Sequence, residues 1–299
     1  KPDAGMIYWA EQFKDNVSLH AAPLHVGPLV EQHIFQNKET VVLTSATLRT
    51  AAAGRTESTF DYVRGRLHAH EAYELAVGSP FDYKNSTLLY LVTDIPEPNQ
   101  PGYQRMLESA IIDTAVTLGG RTLALFTANN QLRQTAPAIE STLSAHKIAV
   151  LAQTQGLSRQ QLLEQFRREG ARAVLLGTRS FWEGVDIPGP ALTALIIAKL
   201  PFDVPSDPIF AARSETYENP FFDYSIPEAV LRFRQGFGRL IRRTTDEGIV
   251  LVLDKRLLTK RYGGMFLEAL PGCTVIRQRA DRIPELIERW MGRDRSRKL

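Results

Sequence analysis

Short apolar runs alternate with helical patterns along most of the chain, and this alternation restricts the possible folds more than any other feature. We predict strands at residues 88–92, 122–126, 148–151, 173–177, 192–198, 249–254 and 274–277. Helices are predicted between and after them, at 103–118, 130–145, 159–168, 225–243, 260–270 and 284–291. Such a pattern indicates an α/β fold, a parallel sheet with helices on both faces. In open sheets of this type, ligands bind beyond the carboxyl ends of the strands.

The first part of the chain is less regular. Residues 1–50 predict two or three strands around a short helix at 29–35, and the β-branched run at 40–44 predicts a buried strand. Residues 51–85 read as a polar connector with one amphipathic piece at 60–67.

Composition excludes several classes of protein. With 43% hydrophobic and 23% charged residues, the 299-residue chain is neither disordered nor fibrous. No apolar run approaches the roughly 18–20 residues of a membrane-spanning helix, so we expect no membrane association. The net charge of +3 does not by itself indicate nucleic acid. The N-terminus lacks the apolar segment of a signal peptide, and we expect the chain to continue a longer protein.

Cysteine and histidine usage restricts metal chemistry. The single cysteine, Cys273, excludes an internal disulfide, a cysteine-ligated iron–sulfur cluster and a cysteine-based zinc site within this chain. It is typical of a reducing compartment, and we expect a cytoplasmic location. His68 and His70 form the only close histidine pair, but without a third ligand at useful spacing we favour ordinary surface histidines over a metal site.

The predicted helix at 225–243 has two distinct faces. On a helical wheel, Gln235, Arg239 and Arg242 fall within an arc of about 60°. The opposite, apolar face is predicted to be buried and consists of Val230, Phe233, Phe237, Leu240 and Ile241.

The polar face of this helix has two interpretations. Arginine pairs suit phosphate oxygens, so the row fits a polyphosphate ligand, but a solvated basic face is an equally good interpretation. Gly236 and Gly238 each cost about 1 kcal/mol in a helix interior relative to alanine. They predict that some group approaches the backbone closely.

The segment 177–189 follows a predicted buried strand and contains acids, aromatics and three glycines. Glu183 and Asp186 are three residues apart and could address one ligand, or could simply cap the loop. For Phe181 and Trp182 we favour packing over stacking on a base.

Four segments, in order, resemble helicase motifs. Residues 44–48 (TSATL) resemble motif III, and 124–127 (ALFT) resemble motif IV. Residues 177–189 (GTRSFWEGVDIPG) resemble motif V, and 235–243 (QGFGRLIRR) resemble motif VI, with an extension through 246–248 and 254–256. The chain therefore resembles the DinG-type helicases, relatives of XPD within superfamily 2, over roughly residues 20–290. The pair of motifs V and VI is the specific part of this match.

The resemblance implies a domain plan. Residues 1–50 would be the last strands of a first RecA-like domain, 51–85 a connector, and 86–299 the second RecA-like domain. ATP would bind between the two domains, and single-stranded DNA would lie across both. No GxxxxGK[ST] loop and no DEAH-type magnesium site occur in the chain. The main ligands of ATP and Mg²⁺, and any iron–sulfur cluster, would therefore belong to an N-terminal motor domain outside this sequence.

The resemblance also implies roles for residues at the nucleotide. Gln235 would face the γ-phosphate, while Arg239 and Arg242 would clamp its charge, with Arg242 as the arginine finger. The helical wheel supports the same three residues independently. The residues expected beside the nucleotide are Glu183, Gly184, Asp186 and Gly238.

Four hydroxyl residues complete the set. By resemblance, Ser45 and Thr47 of motif III would couple the nucleotide site to the grip on DNA. Thr127 and Thr178 are candidates for contacts with DNA phosphates.

We expect the chain to be the motor half of an ATP-dependent DNA helicase that translocates 5′ to 3′ and is inactive alone. One alternative is a non-enzymatic nucleic-acid-binding module derived from a helicase. Another is a small-molecule enzyme on a doubly wound sheet, which would need a glycine-rich dinucleotide loop after a strand. No such loop occurs in the sequence.

Overall fold

The structure is a computed structural model that describes residues 5–51, 58–153, 156–169, 172–182, 187 and 191–292. Its strands are β1 Met6–Phe13, β2 Asn16–Pro23, β3 Thr50–Ala51, β4 Ser58–Thr59, β5 Thr87–Val92, β6 Thr122–Leu125, β7 Ala149–Ala152, β8 Ala173–Gly177, β9 Ala194–Ile197, β10 Gly248–Val252 and β11 Thr274–Gln278. Its α-helices are α1 Gly27–Val30, α2 Asp61–Leu67, α3 Tyr83–Ser86, α4 Tyr103–Leu118, α5 Asn129–Ala145, α6 Arg159–Arg168, α7 Arg179–Trp182, α8 Pro208–Ser214, α9 Ile226–Phe237, α10 Arg256–Thr259, α11 Gly263–Glu268 and α12 Ile283–Met291. The structure also contains π-helical turns at Glu31–Phe35 and Phe221–Ser225 and a 3₁₀ turn at Ala280–Arg282.

The chain divides into two compact units. The first comprises Lys1–Val77 and Phe202–Leu231, and the second comprises Gly78–Pro201 and Arg232–Leu299. The division at residues 50 and 85 that the resemblance implies concerns function, and it stays a prediction.

The second unit contains a seven-stranded sheet in the order β11-β5-β10-β9-β6-β8-β7, with every pair of neighbours parallel. Leu123 of β6 lies level with Leu175 of β8 on one side and Leu195 of β9 on the other. All three are fully buried. The alternate residues of these strands face the opposite side of the sheet, where they pack in the core with α4, α5 and α12. Both faces are therefore covered, which confirms the predicted α/β class.

The first unit is built from smaller elements. β1 and β2 form an antiparallel hairpin in which the rings of Trp9 and His20 stack with centroids 5.0 Å apart. The predicted helix at 29–35 is present as α1 and the π-helical turn that follows it, and the amphipathic piece at 60–67 is α2.

The predicted buried strand at 40–44 is wrong. Residues 40–44 form no strand, and Val42 is 79% exposed. A parallel strand needs a neighbour for its backbone N–H and C=O groups, and no described segment of this chain pairs with these residues.

The predicted helix at 225–243 is too long at its C-terminal end, because α9 stops at Phe237. The amide of Arg239 bonds to the carbonyl of Gly236, three residues back, so the backbone tightens there. The amides of Arg242 and Arg243 then bond to Asp246 Oδ2 at 2.9 and 2.8 Å instead of continuing the helix.

Candidate functional site

The carboxyl ends of β6 and β8 meet α9 at one side chain, Trp182. This residue ends the short helix α7 that follows β8, and it is buried. Its indole Nε1 donates a hydrogen bond to the carbonyl of Phe126, just after β6, at 3.1 Å. The packing interpretation of Phe181 and Trp182 therefore agrees with the structure, in which both rings are buried.

The close approach predicted from the glycines exists at Gly236, and the approaching group is Trp182. A Cβ at Gly236 would lie 2.7 Å from Trp182 Cε3 and 2.9 Å from Cζ3. Gly238 is different, because it lies just after α9 and a Cβ there would meet only backbone oxygens at 3.5 and 3.6 Å.

Arg239 connects the end of α7 to α9. Its Nε donates to the carbonyl of Trp182 at 3.1 Å and to that of Gln235 at 3.1 Å. Gln235 is half-buried on α9, and among the described residues its buried Oε1 has no hydrogen-bond partner. Gln235, Arg239 and Trp182 thus form one connected group.

Arg242 is placed differently from the helical-wheel prediction. It lies five residues beyond the end of α9, so the 100° spacing no longer fixes its direction. Its side chain is half-buried, while that of Arg243 is exposed. Burial raises the pKa of Tyr83, and the charges of Arg234 and Arg242 act in the opposite direction.

The two predicted DNA-contacting threonines follow strand ends. Thr127 is half-buried after β6. Thr178 follows β8 and is buried, and both its amide and its hydroxyl donate to Gln153 Oε1, at 2.8 and 2.7 Å. Gln153 also donates through Nε2 to Ser180 Oγ at 3.0 Å. Sequence analysis missed Gln153, although its position directly after β7 is the signal that could have identified it.

A second polar group lies at the ends of β9 and β10. The buried carboxylate of Asp254 accepts bonds from Arg256 Nη2 at 2.6 Å, from Arg256 Nε at 2.9 Å and from the amide of Leu200 at 2.8 Å. Lys199 lies over the Tyr103 ring, with Nζ 5.5 Å from its centroid. Burial lowers the pKa of Lys199, and the charge of Arg256 lowers it further.

Of the remaining predicted site residues, Ser45 and Thr47 are among those that the structure describes. Glu183, Gly184 and Asp186 fall outside the described residues. Ser45 and Thr47 lie in the first unit, where their hydroxyls are 3.1 Å apart and Ser45 Oγ accepts the amide of Thr47.

The two histidines of the pair lie side by side, and one of them is close to an acidic side chain. His68 and His70 contact each other with ring centroids 5.6 Å apart, and His68 Nδ1 lies 3.1 Å from Glu31 Oε2. Within the described residues, no three His, Cys, Asp or Glu side chains are grouped closely enough to hold a metal ion. No described helix combines the length and apolar character needed to cross a membrane.

Comparison with known sequences gives a consistent result. A model of the helicase C-terminal domain family matches residues 111–273. The chain is 37% identical over 276 residues to "3'-5' exonuclease DinG" of Bacillus subtilis and 35% identical over 271 residues to "ATP-dependent DNA helicase YoaA" of Escherichia coli. It is 37% identical over 284 residues to "ATP-dependent helicase DinG" of Mycobacterium tuberculosis. These matches cover 89%, 89% and 90% of the chain but only 29%, 41% and 41% of the relatives.

Solved structures agree on the fold. An XPD helicase superposes with a TM-score of 0.58 at 15% identity, covering 91% of this chain and 48% of that one. The Xpd4 protein of S. tokodaii superposes with a TM-score of 0.54 at 16% identity, covering 87% and 48%. The parallel sheet with its surrounding helices is thus RecA-like.

Proposed function

The chain belongs to the helicase C-terminal domain family, in its DinG- and XPD-like branch, and on this premise we propose that it is the C-terminal motor half of an ATP-dependent DNA helicase. The observation that carries the proposal is the contact between Trp182, Gly236 and Arg239. It joins the segments that resemble motifs V and VI at the carboxyl edge of the sheet, where ligands of such sheets bind.

In the proposed nucleotide site, Gln235, Arg239 and Arg242 act on the phosphates of ATP. The two arginines stabilise the charge that develops during phosphoryl transfer, and Arg242 serves as the arginine finger. The two bonds from Arg239 Nε to backbone carbonyls orient the guanidinium that we assign to phosphate. The residues proposed to lie beside the nucleotide are Glu183, Gly184, Asp186 and Gly238.

A resident magnesium site does not fit the residues described. They offer no group of three metal-binding side chains, so no step of the reaction is assigned to a metal held by these described residues. We propose instead that an N-terminal motor domain of the same protein carries the phosphate loop and the Mg²⁺ ligands, together with any iron–sulfur cluster.

The N-terminal motor domain is also the proposed partner of the exposed apolar side chains of the first unit. Val42, Tyr73, Leu75 and Val77 are 79%, 104%, 82% and 81% exposed. A row of exposed apolar residues on a small unit is typical of an interaction surface.

Movement on DNA follows from opening and closing of the two motor domains around ATP. We propose single-stranded DNA as the track, translocation from 5′ to 3′ and unwinding of duplex ahead of the motor. Ser45 and Thr47 would couple nucleotide binding and hydrolysis to the binding of DNA. Thr127 and Thr178 would contact DNA phosphates. Since the hydroxyl of Thr178 is bonded to Gln153, a phosphate would have to displace that bond or use a neighbouring amide.

The test compares this chain alone with a polypeptide in which it follows its N-terminal motor domain. DNA-stimulated ATP hydrolysis is expected only in the longer protein, because in-line transfer needs a phosphate cradle and a positioned metal. DNA binding without ATP hydrolysis in both proteins would instead identify a non-enzymatic binding module. ATP hydrolysis by this chain alone would contradict the proposal that the N-terminal motor domain supplies the phosphate loop and the Mg²⁺ ligands.

A further inference from the structure

The first unit contains a cavity whose chemistry the proposed motor does not use. Its volume is about 440 Å³, within the range of roughly 300–1,000 Å³ common for small-ligand sites. The polar and aromatic side chains that line it are those of His25, Asp61, Tyr62, Arg66, His68, Thr216 and Tyr217. We refer to it as the tyrosine cavity.

A column of stacked rings ends at the tyrosine cavity. Phe210 stacks on Tyr224 with centroids 5.2 Å apart at 25°, and Tyr224 stacks on Tyr217 at 5.1 Å and 13°. Tyr217 is the member of this column that lines the cavity. A planar ring entering there would extend the column, and nucleobases stack on aromatic side chains regardless of sequence because every base has a π-face.

The cationic side of the cavity is held in place. Arg66 lies over the ring of Tyr224 at 5.4 Å and that of Tyr62 at 6.0 Å, and its Nη2 is 3.8 Å from Glu228 Oε1. The hydroxyl of Tyr62 donates to the same carboxylate oxygen at 2.5 Å. These contacts fix the guanidinium before any ligand arrives, which reduces the entropy lost on binding.

Charged groups of both signs surround His25. Burial lowers the pKa of His25, and the charges of Arg66, Arg213 and His68 lower it further. Glu228 lies beside Arg66, Glu31 Oε2 lies 3.1 Å from His68 Nδ1, and Asp61 is among the residues that line the cavity. The features that suit a base and its phosphate are therefore the ring of Tyr217, the guanidinium of Arg66 and the imidazole of His25, whose neutral form can still donate a hydrogen bond.

We propose that the tyrosine cavity binds one nucleotide of a single-stranded nucleic acid, with the base on Tyr217 and the phosphate near Arg66 and His25. The proposal rests on the proposed function, since it assumes that the protein holds a single strand, and it adds a contact point on the first unit. A free nucleoside monophosphate presents the same chemistry, so the experiment must separate the two sources.

The experiment measures binding of a fluorescent oligothymidylate to this chain at low salt. Tyr217→Ala should weaken binding by about tenfold, within the range known for loss of one base–aromatic stack. Tyr217→Phe keeps the ring but loses the hydroxyl that hydrogen-bonds with Arg66, so it should retain most of the affinity that Tyr217→Ala loses. Tyr8→Ala, at an exposed tyrosine of the first unit that does not line the cavity, is the matched control and should leave affinity unchanged. Circular dichroism of each variant verifies its fold.

Photocrosslinking provides a readout that a merely structural role would not produce. An oligonucleotide containing 5-iododeoxyuridine should crosslink to Tyr217, and excess unlabelled oligothymidylate should suppress the adduct. If thymidine monophosphate at the same concentration suppresses the adduct equally well, the cavity binds a free nucleotide, and the proposal that it binds a nucleotide of a single strand is wrong.

The outcomes separate the two proposals. If the unaltered chain binds the oligonucleotide but Tyr217→Ala binds equally well and no adduct forms at Tyr217, the cavity assignment is wrong and the helicase proposal stands. If the unaltered chain binds no oligonucleotide at low salt, DNA binding by this half of the motor fails together with the cavity assignment.

Discussion

The indole ring of Trp182 occupies the space that a side chain at position 236 would need. A Cβ at Gly236 would lie 2.7 Å from Trp182 Cε3 and 3.3 Å from Leu125 Cδ1. Glycine at this position therefore lets α9 approach the end of the sheet closely enough for Arg239 to reach the Trp182 carbonyl. The contact explains why a residue with poor helix propensity lies inside α9.

Gly236→Ala should therefore destabilise the chain. Overpacking costs about 1–3 kcal/mol, while the gain in helix propensity returns about 1 kcal/mol, so we expect a net loss of up to about 2 kcal/mol in the free energy of unfolding. Urea denaturation of the variant and of the unaltered chain measures this loss. Gly238→Ala is the control, since its Cβ would make only ordinary contacts, and it should be nearly neutral. Equal losses in the two variants would contradict the close packing.

Arg256→Ala tests the buried ion pair. Arg256→Ala removes the guanidinium from the carboxylate of Asp254, which is 0% exposed, but keeps two backbone donors to it, the amides of Leu200 and of residue 256. Stranding a buried charge typically costs about 3–5 kcal/mol, and we expect a loss near the lower end because these two amide bonds remain.

Arg282→Ala is the matched control for Arg256→Ala. It removes an equally short 2.6 Å contact, to Glu285, but both partners are more than half exposed. Exposed pairs contribute at most about 1 kcal/mol. A loss for Arg282→Ala as large as that for Arg256→Ala, in the same denaturation experiment, would refute the argument from burial.

Cys273 should react slowly while the chain is folded. Burial raises the pKa of its thiol, so at pH 8 less thiolate is present than in the unfolded chain. Alkylation by iodoacetamide, followed by mass spectrometry, should be slower in buffer than in urea, and the difference should narrow as the pH rises. Because the pKa of the thiol is higher in the folded chain than in the unfolded chain, its contribution to the free energy of unfolding is fully present below the unfolded-state pKa. That contribution is lost as the pH rises through the folded-state pKa. Equal rates in buffer and urea at pH 8 would show that the thiol is not protected.

Periodicity predicted the second unit well because its elements bury their own apolar faces within it. The helix predicted at 103–118 is α4 with the same bounds, and the strand predicted at 173–177 is β8. The strand predicted at 40–44 failed for the opposite reason. Its apolar residues have no pairing partner among the described residues, and hydropathy alone does not reveal whether a partner is present.

The candidate site was predictable in its residue types and less so in its geometry. Gln235 and Arg239 lie within or next to α9, where the wheel is valid, and the structure connects them. Arg242 lies five residues beyond the end of α9, in a turn where Asp246 accepts the backbone amides of Arg242 and Arg243. A helical wheel contains no information about such a competing acceptor, so it extended the helix too far.

The last prediction concerns Arg242 in a polypeptide that contains both motor domains. If Arg242 stabilises the charge of the transferring phosphate, Arg242→Ala should lower kcat by about 10³-fold or more, as loss of an arginine finger does. Nucleotide and DNA affinity should change little, because the interaction strengthens in the transition state. Arg242→Lys should restore little activity, since an ammonium lacks the planar set of donors.

Arg243→Ala is the control for that prediction. The amides of both arginines bond to Asp246 Oδ2, so either substitution leaves the backbone of this turn with the same acceptor. The side chains differ, because Arg242 is half-buried and Arg243 is exposed, so Arg243→Ala should be much milder. The measurement is DNA-stimulated ATP hydrolysis at saturating ATP. If Arg243→Ala matches Arg242→Ala, or if Arg242→Ala retains near-normal kcat, Arg242 is not the finger, and Arg239 becomes the residue to test next.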